Sequence, residues 1–148
     1  MSHVQDIDTH IYDLDALEAA VAELGGTLVR DQTRYTWYGR HVGDYPLPAG
    51  FTHADLGQCH HAIKFPGTTY EVGVVPRRDL APGAKPAYTL LYDFWGPGQK
   101  LKQAFGDRMD TLTMRYAVCK TERELKRRHK KFTRVTQPNG NIRLLATL

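Results

Sequence analysis

The spacing of the hydrophobic residues in this chain of 148 residues changes at Trp95-Gly-Pro-Gly98. Between Thr27 and this turn, apolar and aromatic residues fall in short runs separated by Gly and Pro, a pattern that predicts strands. Directly after the turn, one apolar residue recurs every three or four positions, which predicts a helix with one buried face. Consecutive strands followed by helices predict an α+β fold, with a mostly antiparallel sheet and helices on one of its faces.

The predicted order of elements is β-α-β-β-β-β-α-(α)-β-β in a single domain over residues 1–148. Asp13 is a suitable N-cap for the first helix, which Gly25-Gly26 ends. The second helix is expected to break at Gly106, with Asp107 as the new cap. The segments that favour strand are 3–11, 27–30 together with 34–38, 58–65, 69–75 and 87–94.

The last two strands are predicted to form a hairpin that turns at Asn139-Gly140. This dipeptide favours a type I′ turn, in which both central residues have a positive φ. The sequence supplies apolar residues for one face of the hairpin, namely Phe132, Val135, Ile142, Leu144 and Ala146.

Charge is distributed unevenly along the sequence. Residues 1–75 contain 4 basic and 10 acidic side chains, whereas residues 76–148 contain 16 basic and 6 acidic ones. Such asymmetry favours an anionic partner for the basic half. The excess charge could also be compensated by the helix dipole, or by docking of the acidic half, which contains Asp6, Asp8, Asp13 and Asp15. The candidate anion-binding residues are Gly96, Gly98, Lys100, Arg123, Lys126, Arg127, Arg128, Lys130, Lys131 and Arg134.

Two parts of this set differ in character. Gly96, Gly98 and Lys100 lie where a helix is expected to begin, and unpaired N–H groups at a helix start attract anions. Ordinary turn chemistry explains the same glycines equally well. The stretch from Arg123 to Arg134 resembles the electrostatic footprint of a nucleic-acid-binding protein, although only Phe132 within it could stack on a base.

His53, Cys59, His60 and His61 could in principle ligate zinc or iron. Adjacent strand residues point to opposite faces, so Cys59, His60 and His61 cannot share one site, and we expect neither a metal nor a cofactor. A hydrolase that uses His60 or His61 with Asp55 and Asp93 is an alternative function. It requires these side chains to converge in one pocket.

Several short motifs resemble a conserved family first noted as plastid and cyanobacterial reading frames. They are Met1-Ser-His, Ala54-Asp-Leu56, Tyr70-Glu-Val-Gly-Val74, Tyr88-Thr-Leu-Leu-Tyr-Asp-Phe-Trp95, Arg115-Tyr-Ala117 and Asn139-Gly-Asn-Ile-Arg-Leu144. Cys59-His-His-Ala-Ile63 and Phe94-Trp-Gly-Pro-Gly98 make the chain similar to the counterparts in tailed-phage genomes. The family has no established reaction, so the resemblance implies a small soluble α+β protein encoded by a phage, and no catalytic residues.

We therefore expect a non-enzymatic protein that binds nucleic acid or a nucleotide-like anion and modulates host processes. Its two distant cysteines, and an N-terminus without the pattern of a secretory leader, predict the cytoplasm, that of the host for a phage protein. The alternative to anion binding is a module that contacts a host protein through the acidic half or the aromatic strands. The aromatic residues concerned are Tyr35, Trp37, Tyr38, Tyr88, Tyr92 and Trp95.

Overall fold

A computed structural model describes residues 2–43 and 45–147, so that Met1, Asp44 and Leu148 lie outside the description. Its helices are α1 (Leu14–Glu23), α2 (Gln99–Phe105) and α3 (Asp110–Arg127). Its strands are β1 (Thr27–Arg30), β2 (His61–Lys64), β3 (Val72–Pro76), β4 (Tyr88–Leu91), β5 (Lys131–Thr136) and β6 (Ile142–Thr147). The α+β class, the mostly antiparallel pairing and the order of elements are confirmed.

The main sheet has the order β1-β2-β3-β4, and each neighbouring pair is antiparallel. Leu28, Ile63 and Val72 lie side by side in its register, on the face that carries the helices. Apolar residues of all three helices pack into the same buried cluster, among them Leu17, Val21, Leu101, Phe105, Leu112 and Tyr116. Within the described chain, no helix has the length and apolarity that would let it cross a bilayer.

The opposite face of the sheet is covered by the N-terminal segment and by the long stretch between β1 and β2. Here Val4, Tyr35, Phe51 and Leu56 form a second buried cluster with sheet residues. Tyr35 lies so close to Gly73 of β3 that a Cβ atom on Gly73 would approach the Tyr35 ring to 2.4 Å. A side chain at position 73 would therefore displace the long stretch from the sheet.

Residues 3–11 and 34–38 are extended but do not form regular strands. The first segment forms isolated bridges at Ile11–Tyr88 in β4 and at Gln5–Tyr92 just after it, and the second segment forms one at Arg34–Gln58. Side chains take the place of strand partners: His41 Nδ1 accepts from Val4 N at 3.0 Å, and Glu71 Oε1 accepts from Thr36 N at 2.8 Å. Residue patterns cannot show this competition for backbone donors.

The predicted break between α2 and α3 is confirmed at Gly106, which has a φ of 89°. A Cβ atom there would lie 2.1 Å from Asp110 Oδ1, so the tight connection requires glycine. The prediction that Asp107 caps α3 is wrong. The N-cap is Met109 in a left-handed conformation, and the first carboxylate of the helix, that of Asp110, accepts from Thr111 N at 2.9 Å.

β5 and β6 form a separate two-stranded sheet that contacts α3. The prediction of a type I′ turn is wrong. Gly140 has a φ of 86°, but Asn139 is not among the residues with positive φ. Gly140 N donates to Gln137 O and Gln137 N donates to Asn141 O, which closes a three-residue loop. Pro138 favours this loop because its fixed φ suits a type I turn, which Gly140 completes.

The faces of the hairpin also differ from the prediction at one position. The register pairs Phe132 with Ala146 and Arg134 with Leu144, which places those residues on one face. Val135 lies on the opposite face because side chains alternate along a strand, and it is 39% exposed.

Candidate anion-binding surface

The basic stretch starts on the last turns of α3, and buried contacts of the first half of this helix fix its position. Tyr116 and Cys119 are buried against α1. The hydroxyl oxygen of Tyr116 accepts from the backbone N–H groups of Tyr12, at 2.9 Å, and Asp13, at 3.1 Å. The start of α1 is therefore attached to the middle of α3, and its carboxylates lie beside the basic residues that follow.

Arg123 is held by these carboxylates. Its Nε donates to Asp13 Oδ2 at 3.0 Å and its Nη2 donates to Asp15 Oδ2 at 3.2 Å. Asp13 also caps α1, as predicted, since its Oδ1 accepts from Ala16 N. Burial alone would raise the pKa of Asp13, but the hydrogen bonds from Ala16 and Arg123 outweigh it and lower the pKa. The acidic first half thus compensates the charge of Arg123 within the molecule.

Arg134 of β5 is held in the same way by two glutamates. It donates to Glu23 of α1 at 2.7 Å and 3.2 Å, and to Glu122 of α3 at 2.6 Å and 3.1 Å. Arg115 donates to Glu23 as well, at 2.9 Å. The hydrogen bonds from Arg134, together with those from Cys119 and Arg115, lower the pKa of Glu23 to about 2. We call Arg115, Arg123 and Arg134 the paired arginines, because each joins two elements through carboxylates.

One group of described side chains has ligand atoms close enough to hold a metal ion. These are Glu23, Cys119 and Glu122, whose ligand atoms lie within 4.8 Å of one another. The guanidinium of Arg134 already lies against both carboxylates, and burial with the nearby Glu23 raises the pKa of the Cys119 thiol to about 11. The group therefore acts as an ion-pair cluster that secures the hairpin.

The other basic residues lie where α3 ends. We define the basic end as Lys126, Arg127, Arg128, Lys130 and Lys131, all of which are exposed. The side chains of Arg127 and Arg128 are 78% and 69% exposed, and both pair with one carboxylate, that of Glu124. Hydrogen bonds from these two arginines lower the pKa of Glu124. Among residues 2–43 and 45–147, no side-chain carboxylate lies within 4.0 Å of the three lysines.

A left-handed residue brings Lys130 and Lys131, the first residue of β5, next to the helix. His129 has a φ of 57°, and Lys130 N donates to Leu125 O while His129 N donates to Lys126 O. These are the two hydrogen bonds of a Schellman motif, which usually uses glycine at the position of His129. The chain reverses at His129, so Lys130 and Lys131 lie beside the end of α3, at the negative end of the helix dipole.

The Gly-Pro-Gly turn has a structural explanation. A Cβ atom on Gly98 would lie 1.9 Å from the carbonyl oxygen of Asp93, and Gly98 N donates to Trp95 O. The ammonium group of Lys100 lies over Gly67, and α2 has only seven residues. α3 is about 27 Å long. It starts next to α2, and the basic end lies at its other end. The structure thus brings Lys126 to Lys131 together and leaves Gly96, Gly98 and Lys100 in a separate region.

Three of the four residues of the hydrolase alternative, His61, Asp93 and Asp55, bind other partners. His61 is 7% exposed, burial lowers its pKa, and its Nδ1 accepts from Asp31 N at 3.0 Å. His60 is exposed. Asp93 is buried and accepts from Ser2 Oγ and Trp95 N, while Asp55 accepts from Thr52 and Arg78. In the described part of the chain, no hydrogen bond or ion pair joins either histidine to either aspartate.

Most of the predicted aromatic surface is used in packing. Of the six aromatic residues, Tyr35 and Tyr92 are buried, Trp37 and Tyr88 are half-buried, and Tyr38 and Trp95 are exposed. Cys59 is also buried, and its Sγ donates to Gln32 O at 3.1 Å. These residues therefore contribute more to the two cores than to a shared interface.

Comparison of the chain with protein-family models, with curated proteins and with solved structures finds no match. The resemblance to the plastid, cyanobacterial and phage reading frames stays a prediction.

Proposed function

We propose that this protein binds nucleic acid through the basic end, without catalysing a reaction. The proposal rests on one observation: five exposed cations lie within six residues of sequence. Among the described residues, Glu124 is the one carboxylate that pairs with any of these cations. Cations that neutralise the phosphates of free nucleic acid are released when such a cluster replaces them, which favours binding.

The shape of the basic end supports a polymeric ligand. Its side chains project from a helix terminus and the first residues of a strand, so they can reach successive phosphates. Arginine forms bidentate hydrogen bonds with phosphate oxygens, and Arg127 and Arg128 are exposed enough to exchange Glu124 for such a partner.

Little in this surface could read a base sequence. Phe132 is half-buried, on the same face of the hairpin as Arg134, which is held by Glu23 and Glu122. The proposal is therefore one of backbone contacts with little sequence preference and a steep dependence on salt. A cytoplasmic protein that a phage uses to act on host nucleic acid would fit this description, and the two reduced thiols, Cys59 and Cys119, are compatible with that compartment.

The proposal is tested with a charge-reversal variant, Arg127→Glu, Arg128→Glu and Lys130→Glu in one chain. We expect the unaltered protein to be retained on immobilised single- or double-stranded nucleic acid at about 50 mM salt, and the variant to bind at least about 100-fold more weakly. The matched control reverses three exposed cations elsewhere, Lys85, Lys102 and Arg108, and so has the same net charge.

If the control is retained on the nucleic acid and the charge-reversal variant is not, the result supports the basic end as the binding surface. Equal losses in both variants would mean that net charge alone is responsible and would contradict the proposal. Absence of retention of the unaltered protein at about 50 mM salt would do the same.

A further inference from the structure

The long stretch between β1 and β2 encloses a hollow on the face of the sheet opposite the helices. Its volume is about 470 Å³, within the range of about 300–1,000 Å³ that is usual for small-molecule sites. The residues that line it include Arg34, Trp37, Arg40, His41 and His53. Two guanidinium groups and an indole ring around one hollow are an unusual combination for a region that otherwise only covers a sheet.

The indole ring is held in place by a close approach to the backbone. Gly57 is buried with a φ of 90°, and a Cβ atom on it would lie 2.9 Å from Trp37 Nε1. The carbonyl oxygen of Gly57 accepts from Tyr35 N at 3.0 Å, which fixes the backbone beneath the ring. Trp37 is only half-buried, so part of its surface is available to a ligand.

The cationic groups stand at the rim. Arg34 and Arg40 are exposed, and no carboxylate of the described residues lies within 4.0 Å of either guanidinium. Asp55, which follows His53 on the same short helical turn, accepts hydrogen bonds from Arg78 and Thr52. Among the described residues, the rim therefore carries a positive charge.

The two histidines have different roles. His41 Nδ1 accepts from Val4 N and its Nε2 lies 2.8 Å from Tyr45 O, so the ring is neutral and Nε2 is the donor. His41 thus ties the stretch to the N-terminal segment. His53 is exposed and packs edge-on against His41 at 5.9 Å between ring centroids, which leaves its nitrogens available to a ligand.

We propose that this hollow is a binding site for an aromatic anion of the nucleoside monophosphate class. The guanidinium groups of Arg34 and Arg40 would bind the phosphate, and the base would lie against Trp37. Stacking on an aromatic side chain requires no particular base, so the site selects the combination of ring and phosphate. It lies across the sheet from α3 and does not depend on the basic end.

The test uses the intrinsic fluorescence of Trp37 in a Trp95→Phe background, which removes the other tryptophan. Titration with AMP is expected to change the emission in a saturable way. Adenosine and inorganic phosphate, each lacking one half of the ligand, should bind at least about 10-fold more weakly. Equilibrium dialysis of AMP against the unaltered chain provides the same comparison without the Trp95→Phe change.

The variant Arg34→Gln with Arg40→Gln should weaken AMP binding at least about 10-fold, while the control Arg108→Gln with Arg143→Gln should leave it unchanged. The urea midpoints of both variants should match that of the unaltered protein, which shows that the fold is retained. Absence of saturation by about 10 mM AMP, undiminished binding in the first variant, or phosphate binding as tight as that of AMP would each overturn the proposal.

Discussion

The paired arginines and the basic end belong to the same stretch of sequence but differ in what surrounds them. Each paired arginine reaches a carboxylate on another element: Arg115 and Arg134 reach Glu23, and Arg123 reaches Asp13. The residues of the basic end form no ion pair with α1 among the described residues, and Glu124 is their one described partner. The charge of a sequence segment therefore overstates the charge that a ligand can use.

The position of α1 explains the difference. Arg123 meets Asp13, which is the N-cap of α1, and the final turn of α3 follows. No residue of α1 pairs with this turn within the described chain, because α1 begins at Leu14. Basic residues beside α1 stabilise the fold, whereas those beyond it are left for a partner.

The largest effect that separates the two regions should be on stability. Arg134→Glu would place a third carboxylate against Glu23 and Glu122, and we expect it to lower the free energy of unfolding by about 3 kcal/mol. The triple reversal of Arg127, Arg128 and Lys130 should change it by no more than about 0.5 kcal/mol, because these side chains are exposed. Urea unfolding measures both, and equal losses in the two variants would contradict the division.

A change in the hairpin loop should have a somewhat smaller effect. Gly140 has a φ of 86° and open space where a Cβ atom would lie, so Gly140→Val should cost about 2 kcal/mol through backbone strain alone. Gly140→Ala should show a milder loss, and Thr133→Val, in an exposed strand position, should show little. Because Lys130 and Lys131 lead into this hairpin, retention on nucleic acid should weaken as well. Coincident urea midpoints for the unaltered protein and Gly140→Val would show that the loop is misassigned.

Acid should weaken the attachment of the paired arginines by a smaller amount. The pKa of Glu23 is about 2 in the folded protein, below its ordinary value of 4.5, so its contribution is present above about pH 4.5 and is lost as the pH falls towards 2. With solvent screening, we expect the free energy of unfolding to fall by about 1 kcal/mol between pH 5 and pH 3. The substitution Glu23→Gln should abolish this loss. The measurement is the pH dependence of the urea midpoint, and an unchanged slope in Glu23→Gln would contradict the assignment.

The sequence predicted the elements well where periodicity alone decides them. The strands of the main sheet, the cap at Asp13 and the break at Gly106 all follow from local patterns. The prediction of strands was wrong where a distant side chain binds the backbone. The N–H groups of Val4 and Thr36, for example, donate to His41 and Glu71. The turn at Gly140 differs from the prediction because Pro138 favours a three-residue loop over the two-residue loop of a type I′ turn.

The same distinction applies to the candidate surface. Clustering of basic residues predicted the basic end, but the separation of Arg123 and Arg134 from it depends on α1, more than 100 residues away along the chain. No local signal reveals such a pairing. The hollow at Arg34 and Arg40 was also missed, because its residues are brought together by an irregular stretch that has no periodicity.

The most direct test of the account is the salt dependence of nucleic-acid binding. Neutralising Lys126 and Lys130 to Gln should reduce the slope of log K against log salt by about 0.7–0.9 for each residue, since each is proposed to contact a phosphate. Neutralising Arg123 and Arg134 to Gln removes the same charge from the same stretch and should leave the slope unchanged, although stability falls. A slope that decreases equally in both double variants would contradict the claim that only the basic end is available to a ligand.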